Sequence, residues 1–449
     1  MPNDRPRSRR RLSSYRFGEP GGTVTDTVGQ VRRVFLSITF LRWIGPGLIV
    51  PVLVLVLTFN GLDLAQVGIV FAVYGATTVL FELPTGGLAD SIGRRSVLIM
   101  AGILFIALDV LLLVGTTLPV FLLAAFLGGA GRALSSGPLE SWYVDRARAI
   151  DPSLVLRKDF STAGVLEGVA LLCGALASVG LANLPPGSIA GLSNVLVSAL
   201  GAAIADGVFV LAVLGTVREP ERSRGSIGSA FGEVPAVIRD GVRIAGSRRS
   251  IRLLLGTTFG VAVAAVSIET LWQPRYADLL GGPHEAAKIA GLVVAGFALA
   301  SVVGSALAQH LPGRLADAPG RSAAVALTFS AFGLVAMAAS NDPWLLTFSI
   351  LCVYAFFALS HVLRQELLHE WVPSERRTTI VSVDSLAGQL GNVGASLVLV
   401  PIAGATSIAT GWLLGAAAAF VASLVVASVR MPTDAERQQI HAGAPADTA

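Results

Sequence analysis

The stretch Gly86-Gly87-Leu88-Ala89-Asp90-Ser91-Ile92-Gly93-Arg94-Arg95-Ser96-Val97-Leu98 decides how the rest of the chain is read. It is a polar loop between two apolar runs, at about 64–84 and 97–115. Its small residues allow two helices to turn tightly, Asp90 brings an anion to the turn, and Arg94 and Arg95 bring cations. Just before it, Phe81-Glu82-Leu83-Pro84-Thr85 ends the preceding run with an acid and a helix-breaking proline. The loop has a second copy. Gly86, Leu88, Ala89, Asp90, Gly93 and Arg94 return as Gly313, Leu315, Ala316, Asp317, Gly320 and Arg321, at a constant spacing of 227 residues. Each copy follows an even-numbered apolar run of its half, which points to an internal duplication.

Outward from the loop the chain is apolar almost throughout. Of 449 residues 53% are hydrophobic and 14% charged, and the mean hydropathy is +0.71. This composition belongs in a bilayer. Apolar segments at about 34–57, 64–84, 97–115, 119–142, 160–182, 190–217, 251–273, 287–309, 322–340, 344–366, 378–400 and 408–429 are each long enough to span hydrocarbon as a helix, where the backbone must bond to itself. The expected fold is therefore all-α, with twelve transmembrane helices in two six-helix halves. A basic tail (1–33), an N-terminal bundle (34–217), a polar linker (218–250), a C-terminal bundle (251–429) and a second tail (430–449) divide the chain.

Basic residues set the orientation. Of the 33 Lys and Arg, Arg275 and Lys288 fall on one side, Arg42 and Arg132 fall inside spans, and all others fall on the side of the quoted loop. By the positive-inside rule that side is cytoplasmic, as are both termini. The tail lacks the apolar core and small-residue site of a cleaved signal. Cys173 and Cys352 lie in apolar runs and read as buried, inert thiols, so neither a disulfide framework nor a metal site is expected. Basic residues form no stripe with interleaved aromatics, which argues against nucleic acid. No Gly-Lys-Ser/Thr loop marks ATP binding, and no cofactor is implied.

The quoted loop resembles the signature between spans two and three of the major facilitator superfamily, and the resemblance extends over about 34–429. It implies secondary transport by a monomer, with no enzymatic activity, moving a small molecule across a bacterial inner membrane. In that family the loop's Asp sits near span eleven and its Arg pairs with an acid at the end of span four; Asp145 and Glu140 are the acids available here. Ser91 stands where the family usually has Arg, which removes one arm of the latch. Glu82 reads as a brace of the same gate. The run from Gly128 to Asp145, with Arg132 among small residues, resembles the fourth span of efflux-type members, although span five lacks their usual Gly-Pro pair. The loop charges also satisfy the positive-inside rule with no gating role.

Intramembrane charges are costly, so each needs a partner or a cavity. The family arrangement places spans 1, 4, 7 and 10 around the cavity and ranks Arg42, Arg132, Glu140, Glu167, Glu269 and Asp384 as candidates for the substrate or for protons. Arg132 and Glu167, on adjacent spans, lead as the proton site. Glu269, Trp272, Gln273 and Tyr276 share one helical face, which suits either an amphipathic ligand or the outer headgroup layer. Asp109 and Asp206 fall on helices expected at the periphery; sharing a proton and bonding separately to neighbours both remain open. His361, Arg364 and Glu366 read as interfacial charges. Gly164 and Gly168, and Gly388, Gly391 and Gly394, suggest close helix crossings. Proton-coupled export of a drug-like or amphipathic metabolite is the first reading and proton symport of a sugar, amino acid or organic acid the second. A membrane receptor would need a soluble module that the loops do not supply.

Overall fold

The structure, a computed structural model, describes residues 27–219, 243, 246, 248–373 and 377–441. Of residues 83–88, 90, 91, 377, 378, 439 and 441 it describes the backbone alone. Most of the 218–250 linker, the bulk of the first tail and residues 442–449 thus lie outside the described residues, and so does the Asp90 side chain.

Twelve helices are long and apolar enough to cross a membrane: α1 (Val28–Phe59), α2 (Leu64–Ile92), α3 (Arg94–Val114), α4 (Leu118–Ile150), α5 (Arg157–Ala182), α6 (Asn194–Thr216), α7 (Arg249–Leu280), α8 (Pro283–His310), α9 (Pro319–Ala339), α10 (Pro343–Glu370), α11 (Arg377–Ala405) and α12 (Ile408–Ala427). Several outrun their apolar segments at the loop end, because hydropathy detects only the part of a helix that needs hydrocarbon. The backbone stays helical through Pro84, so this proline does not end α2 as its sequence suggests.

Local chemistry fixes where helices begin and bend. Asp63 Oδ1 accepts from the Gln66 amide at 2.8 Å and Gln66 Oε1 accepts from the Asp63 amide at 3.1 Å, a reciprocal cap that starts α2. In α1, Pro46 and Pro51 withhold amide hydrogens, and the helix narrows to a 3₁₀ turn over Val50–Val52 before resuming at Leu53–Phe59. α4 is split between Ser135 and Pro138.

The packing repeats between halves. In the first, α1 packs on α5 and α6, α3 on α4 and α6, and α2 on α4; in the second, α7 packs on α11 and α12, α9 on α10 and α12, and α8 on α10. Even an anchoring contact is duplicated: Trp142 Nε1 donates to the Arg218 carbonyl at 3.0 Å, and Trp371 Nε1 to the Arg430 carbonyl at 2.9 Å. The halves meet through α2 with α11 and α5 with α8, and through α1 with α7 at one end only. The expected small-residue crossings hold in part: Gly164, Gly168 and Gly394 face open space, whereas Gly391 packs against α7, where a Cβ would lie 2.6 Å from the Phe259 carbonyl oxygen, and α1 and α5 touch where a Cβ at Gly174 would lie 2.7 Å from Gly47 Cα. Cys173 is exposed on α5 and Cys352 half-buried, which corrects the reading of both thiols as buried.

The apolar cores differ between the two ends of the bundle. Away from the quoted loop, Leu55, Val67, Leu271, Tyr276, Ala290 and Leu399, from both halves, share one continuous core. At the loop end each half keeps a separate core: Phe35, Leu98, Tyr143 and Phe209 in the first, Leu254, Leu327, Leu363 and Val426 in the second. Among the described residues, burial of apolar surface thus joins the halves in one core at one end and forms separate cores at the other.

Candidate functional site

Between the halves lies a cavity of about 370 Å³, large enough for a small organic molecule. Its wall combines α1 (Gly45, Pro46, Val50), α2 (Phe71, Tyr74), α3 (Phe105, Asp109), α4 (Phe121), α6 (Asp206), α7 (Val266, Glu269) and α11 (Gln389, Asn392, Ser396). The surface is mostly apolar. Its ionisable members are Asp109, Asp206, Glu269 and Tyr74, and among the described residues no Lys, Arg or His lines it. Glu269 is exposed and lines this space, whereas its helix neighbours Trp272 and Gln273 are 3% and 2% exposed. Trp272 is packed edge-on against Tyr276 and Phe297, with ring centroids 5.7 and 5.4 Å away, and Phe297 stacks on Tyr354 at 4.4 Å. The face is therefore divided: Trp272 and Tyr276 fill the joint core, and Glu269 alone of the four lines the cavity.

Gln273 does something that its spacing does not announce. Its Oε1 accepts from the amides of Val54 (2.9 Å) and Leu55 (3.2 Å), and its Nε2 donates to the Val50 carbonyl (3.0 Å). The first-turn amides of a helix have no intrahelical acceptor. The proline break in α1 creates such a turn in the apolar interior, and a side chain from the other half satisfies it. Asn183 Nδ2, which donates to the Lys288 carbonyl at 3.2 Å, and Phe59, set edge-on to His284 at 5.5 Å, add cross-half contacts at the same end. A Cβ at Gly291 would lie 2.0 Å from the Ala175 carbonyl oxygen, and one at Gly68 would lie 2.2 Å from that of Ser396, so the crossings there admit only glycine.

Toward the loop end a second polar cluster surrounds Trp43. The Arg42 and Arg132 guanidinium carbons lie 5.4 and 5.3 Å from its ring centroid, and Arg42 Nη1 is 3.7 Å from Glu140 Oε1. Among the described residues no ion pair joins Arg132 to Glu167; Glu167 is half-buried and absent from the cavity wall. Trp43 was invisible to sequence reading, since a lone aromatic in an apolar run carries no signal. Asp384 is also set apart from the cavity. Its carboxylate accepts from Thr258 Oγ1 (2.6 Å) and Gln365 Nε2 (2.9 Å), and Arg364 Nη1 donates to the same Thr258 Oγ1 (2.6 Å). This network ties α7, α10 and α11 together inside one half. Arg364 is 6% exposed, which corrects its reading as an interfacial charge.

At the quoted loop, Gly93 adopts φ +92°, a left-handed turn natural only to glycine, so that α2 ends and α3 begins within one residue. Arg94 Nη1 lies 2.7 Å from Asp145 Oδ2 at the end of α4. Arg95 Nη2 donates to the Leu214 carbonyl at 2.6 Å. Glu219, just past α6, caps α3 by accepting from the amides of Arg94 and Arg95, both at 3.0 Å. In the sequence Glu219 is only one charge of the polar linker and carries no signal of this role. Glu82 is exposed. In the second copy Gly313, Asp317 and Arg321 are exposed, while Gly320 is packed so closely that a Cβ would lie 1.9 Å from the Val429 carbonyl oxygen. The second copy thus keeps the tight helix start, and among the described residues no ion pair of the Arg94–Asp145 kind accompanies it.

Comparison with known proteins gives this arrangement a context. The model of the Major Facilitator Superfamily matches residues 35–311. The Quinolone resistance protein NorA of Staphylococcus aureus is 28% identical over 121 residues, which cover 27% of this chain and 30% of that relative. Among solved structures, the nucleoside transporter NupG superposes with a TM-score of 0.69 at 13% identity, covering 88% of this chain and 98% of that one. A D-xylose-proton symporter superposes with a TM-score of 0.64 at 16% identity, covering 90% and 98%. Such identities speak for the fold alone. Family model, twelve-helix duplication and fold agree, and the chain belongs to the Major Facilitator Superfamily: a multi-pass membrane transporter, not an enzyme.

Proposed function

We propose that this transporter works by alternating access in a bacterial inner membrane, with both termini cytoplasmic, and exports a small amphipathic compound, neutral or cationic, in exchange for protons. The observation that carries this reading is the cavity: it lies between two duplicated halves joined by one core at one end and separate at the other, and it presents carboxyl groups with no base. Rocking of one half against the other about such a site would expose it alternately to the two sides. With the arginine-rich end in the cytoplasm, the end with separate cores faces inward, which supports an inward-open reading of this state. Acid groups among aromatic and aliphatic walls favour a ligand with an apolar body and no negative charge. The partial likeness to the quinolone resistance protein supports export. The protein acts as a monomer in the lipid bilayer, with protons and substrate as its partners and no cofactor.

Within this reading Arg94, Asp145, Glu219 and Gly93 form the cytoplasmic latch, Gln273 the outer one, and the Arg42–Trp43–Arg132 cluster the inner mouth of the pathway. Transport in proteoliposomes against a compound panel under an imposed pH gradient is the test. Accumulation against the inward proton flow supports export, and accumulation with it makes the protein a symporter instead.

A further inference from the structure

Asp109 of α3 and Asp206 of α6 are 2% and 4% exposed and stand within hydrogen-bond reach of each other in the cavity wall. Two ionised carboxylates have no hydrogen to share, and their repulsion in an apolar interior is severe. Among the described residues no Lys, Arg or His stands on this wall to relieve it. From α1 the residue facing them is Gly45, where a Cβ would fall 2.7 Å from Asp206 Oδ1. α2 offers the Tyr74 phenol, α4 offers Phe121, Ala124 and Ala125, and Glu269 of α7 lines the same cavity; α5 and α8 put no ionisable group on the wall. Arg42 and Arg132 lie off this wall: both guanidiniums face the Trp43 ring, and Arg42 stands 3.7 Å from Glu140. One oxygen of the pair, the buried Asp109 Oδ2, accepts no hydrogen bond among the described residues.

We propose that the Asp109–Asp206 pair is the proton site of the cavity: the two carboxyls hold one proton between them, and release it when an organic cation enters. The inference rests on the coupled-transport reading, places the proton site on α3 and α6 where the sequence pointed to Glu167, and assigns the two acids that the family resemblance leaves at the periphery. One O–H bond breaks, the proton passes to cavity water, and the ligand's positive charge compensates the second carboxylate. Geometry also supplies a route to the gates. The pair presses on α1 at Gly45, beside the Pro46 bend and one turn from the segment that Gln273 clasps, so the occupancy of the pair bears on the helix whose outer part seals the cavity.

The test uses the full-length protein in nanodiscs. Infrared titration with isotope-labelled aspartate should reveal a protonated aspartate carbonyl band at neutral pH that Asp109→Asn and Asp206→Asn each remove; its absence from the wild type overturns the proposal, without need of any variant or ligand. In weakly buffered solution, tetraphenylphosphonium should release about one proton per cation bound. Either single asparagine should abolish this release while binding persists, because Asn–Asp carries the same charge as the singly protonated pair. The double variant should bind at least tenfold more weakly. Wild-type proton release in both single variants, or its loss in Glu269→Gln or Glu167→Gln instead, refutes the assignment. A proton site that is present while wild-type proteoliposomes show no proton-driven flux would leave the pair standing and sink the coupled-transport reading.

Discussion

Gln273 of α7 holds the backbone amide of Val54 in α1 at 2.9 Å, and this hydrogen bond crosses between the two halves of the protein inside their shared core. Replacing Gln273 by Leu keeps the volume and orphans two amides and a carbonyl. Each buried unsatisfied group costs about 1–3 kcal/mol, a penalty carried only by the conformation in which the halves meet here. Hydrogen–deuterium exchange over residues 50–59 should therefore accelerate in Gln273→Leu while exchange around Trp142 stays unchanged. Equal protection of residues 50–59 in variant and wild type would refute the latch.

Gly291 makes a sterically harder test of the same closure. Because its Cβ would lie 2.0 Å from a backbone oxygen of α5, Gly291→Val cannot be accommodated by a side-chain rotation. The α5–α8 contact must separate. We expect a well-inserted protein that binds ligand from the loop side and fails to turn over, measured as retained binding with transport below about a tenth of wild type, the consequence of a penalty above about 1.4 kcal/mol on the closed state.

Glu219→Gln removes a carboxylate from the start of α3, an interaction worth about 0.3–2 kcal/mol. The Arg94–Asp145 pair beside it is weaker, since Asp145 is 52% exposed and solvent screens it. Transport should fall severalfold in Glu219→Gln with normal abundance. Asp145→Asn should lose less. A double-mutant cycle on transport rate that shows no coupling between Glu219 and Arg94→Ala would separate the cap from the latch.

Asp384 and Glu167 should behave oppositely. Asp384 is 7% exposed beside the equally buried Arg364, and removing one member of a buried charged network costs about 3–5 kcal/mol. Asp384→Asn should lower the melting temperature in detergent strongly. Glu167→Gln, half-buried and without a side-chain hydrogen bond among the described residues, should stay within about 0.5 kcal/mol of wild type. The reverse order in a thermal-shift series would show that the α7–α10–α11 network is not structural.

At the C-terminal side a short helix, α13 (Asp434–His441), is tied back by Glu436, whose two oxygens accept from Arg430 at 2.7 and 2.9 Å. The Arg430 guanidinium holds the Glu436 carboxyl down at about 2. A depressed carboxyl pKa means that the tether is complete above the unfolded value of about 4.3 and weakens as pH falls toward about 2. Exchange at residues 434–441 should rise in that window and nowhere above it. Glu436→Gln should remove the transition.

The chain's apolar runs, the loop at 86–98 with its copy at 313–321, and the one-sided arginines determined by themselves that this is a twelve-helix duplicated transporter. Those properties are local: a hydrocarbon span needs a run of apolar residues, a tight helix turn needs glycine, and neither depends on what lies opposite. Which charges work together was decided only by the tertiary structure. Asp109 and Asp206 stand 97 residues apart and meet because α3 packs on α6. Gln273 reads as one face of an amphipathic helix until the break in α1 sets free amides before it. Asp384 and Glu269 are both single acids in apolar runs, yet one is enclosed by Thr258 and Gln365 and the other opens on the cavity. A buried charge is defined by its partners, and partners come from other helices through packing, which the periodicity of one segment does not encode.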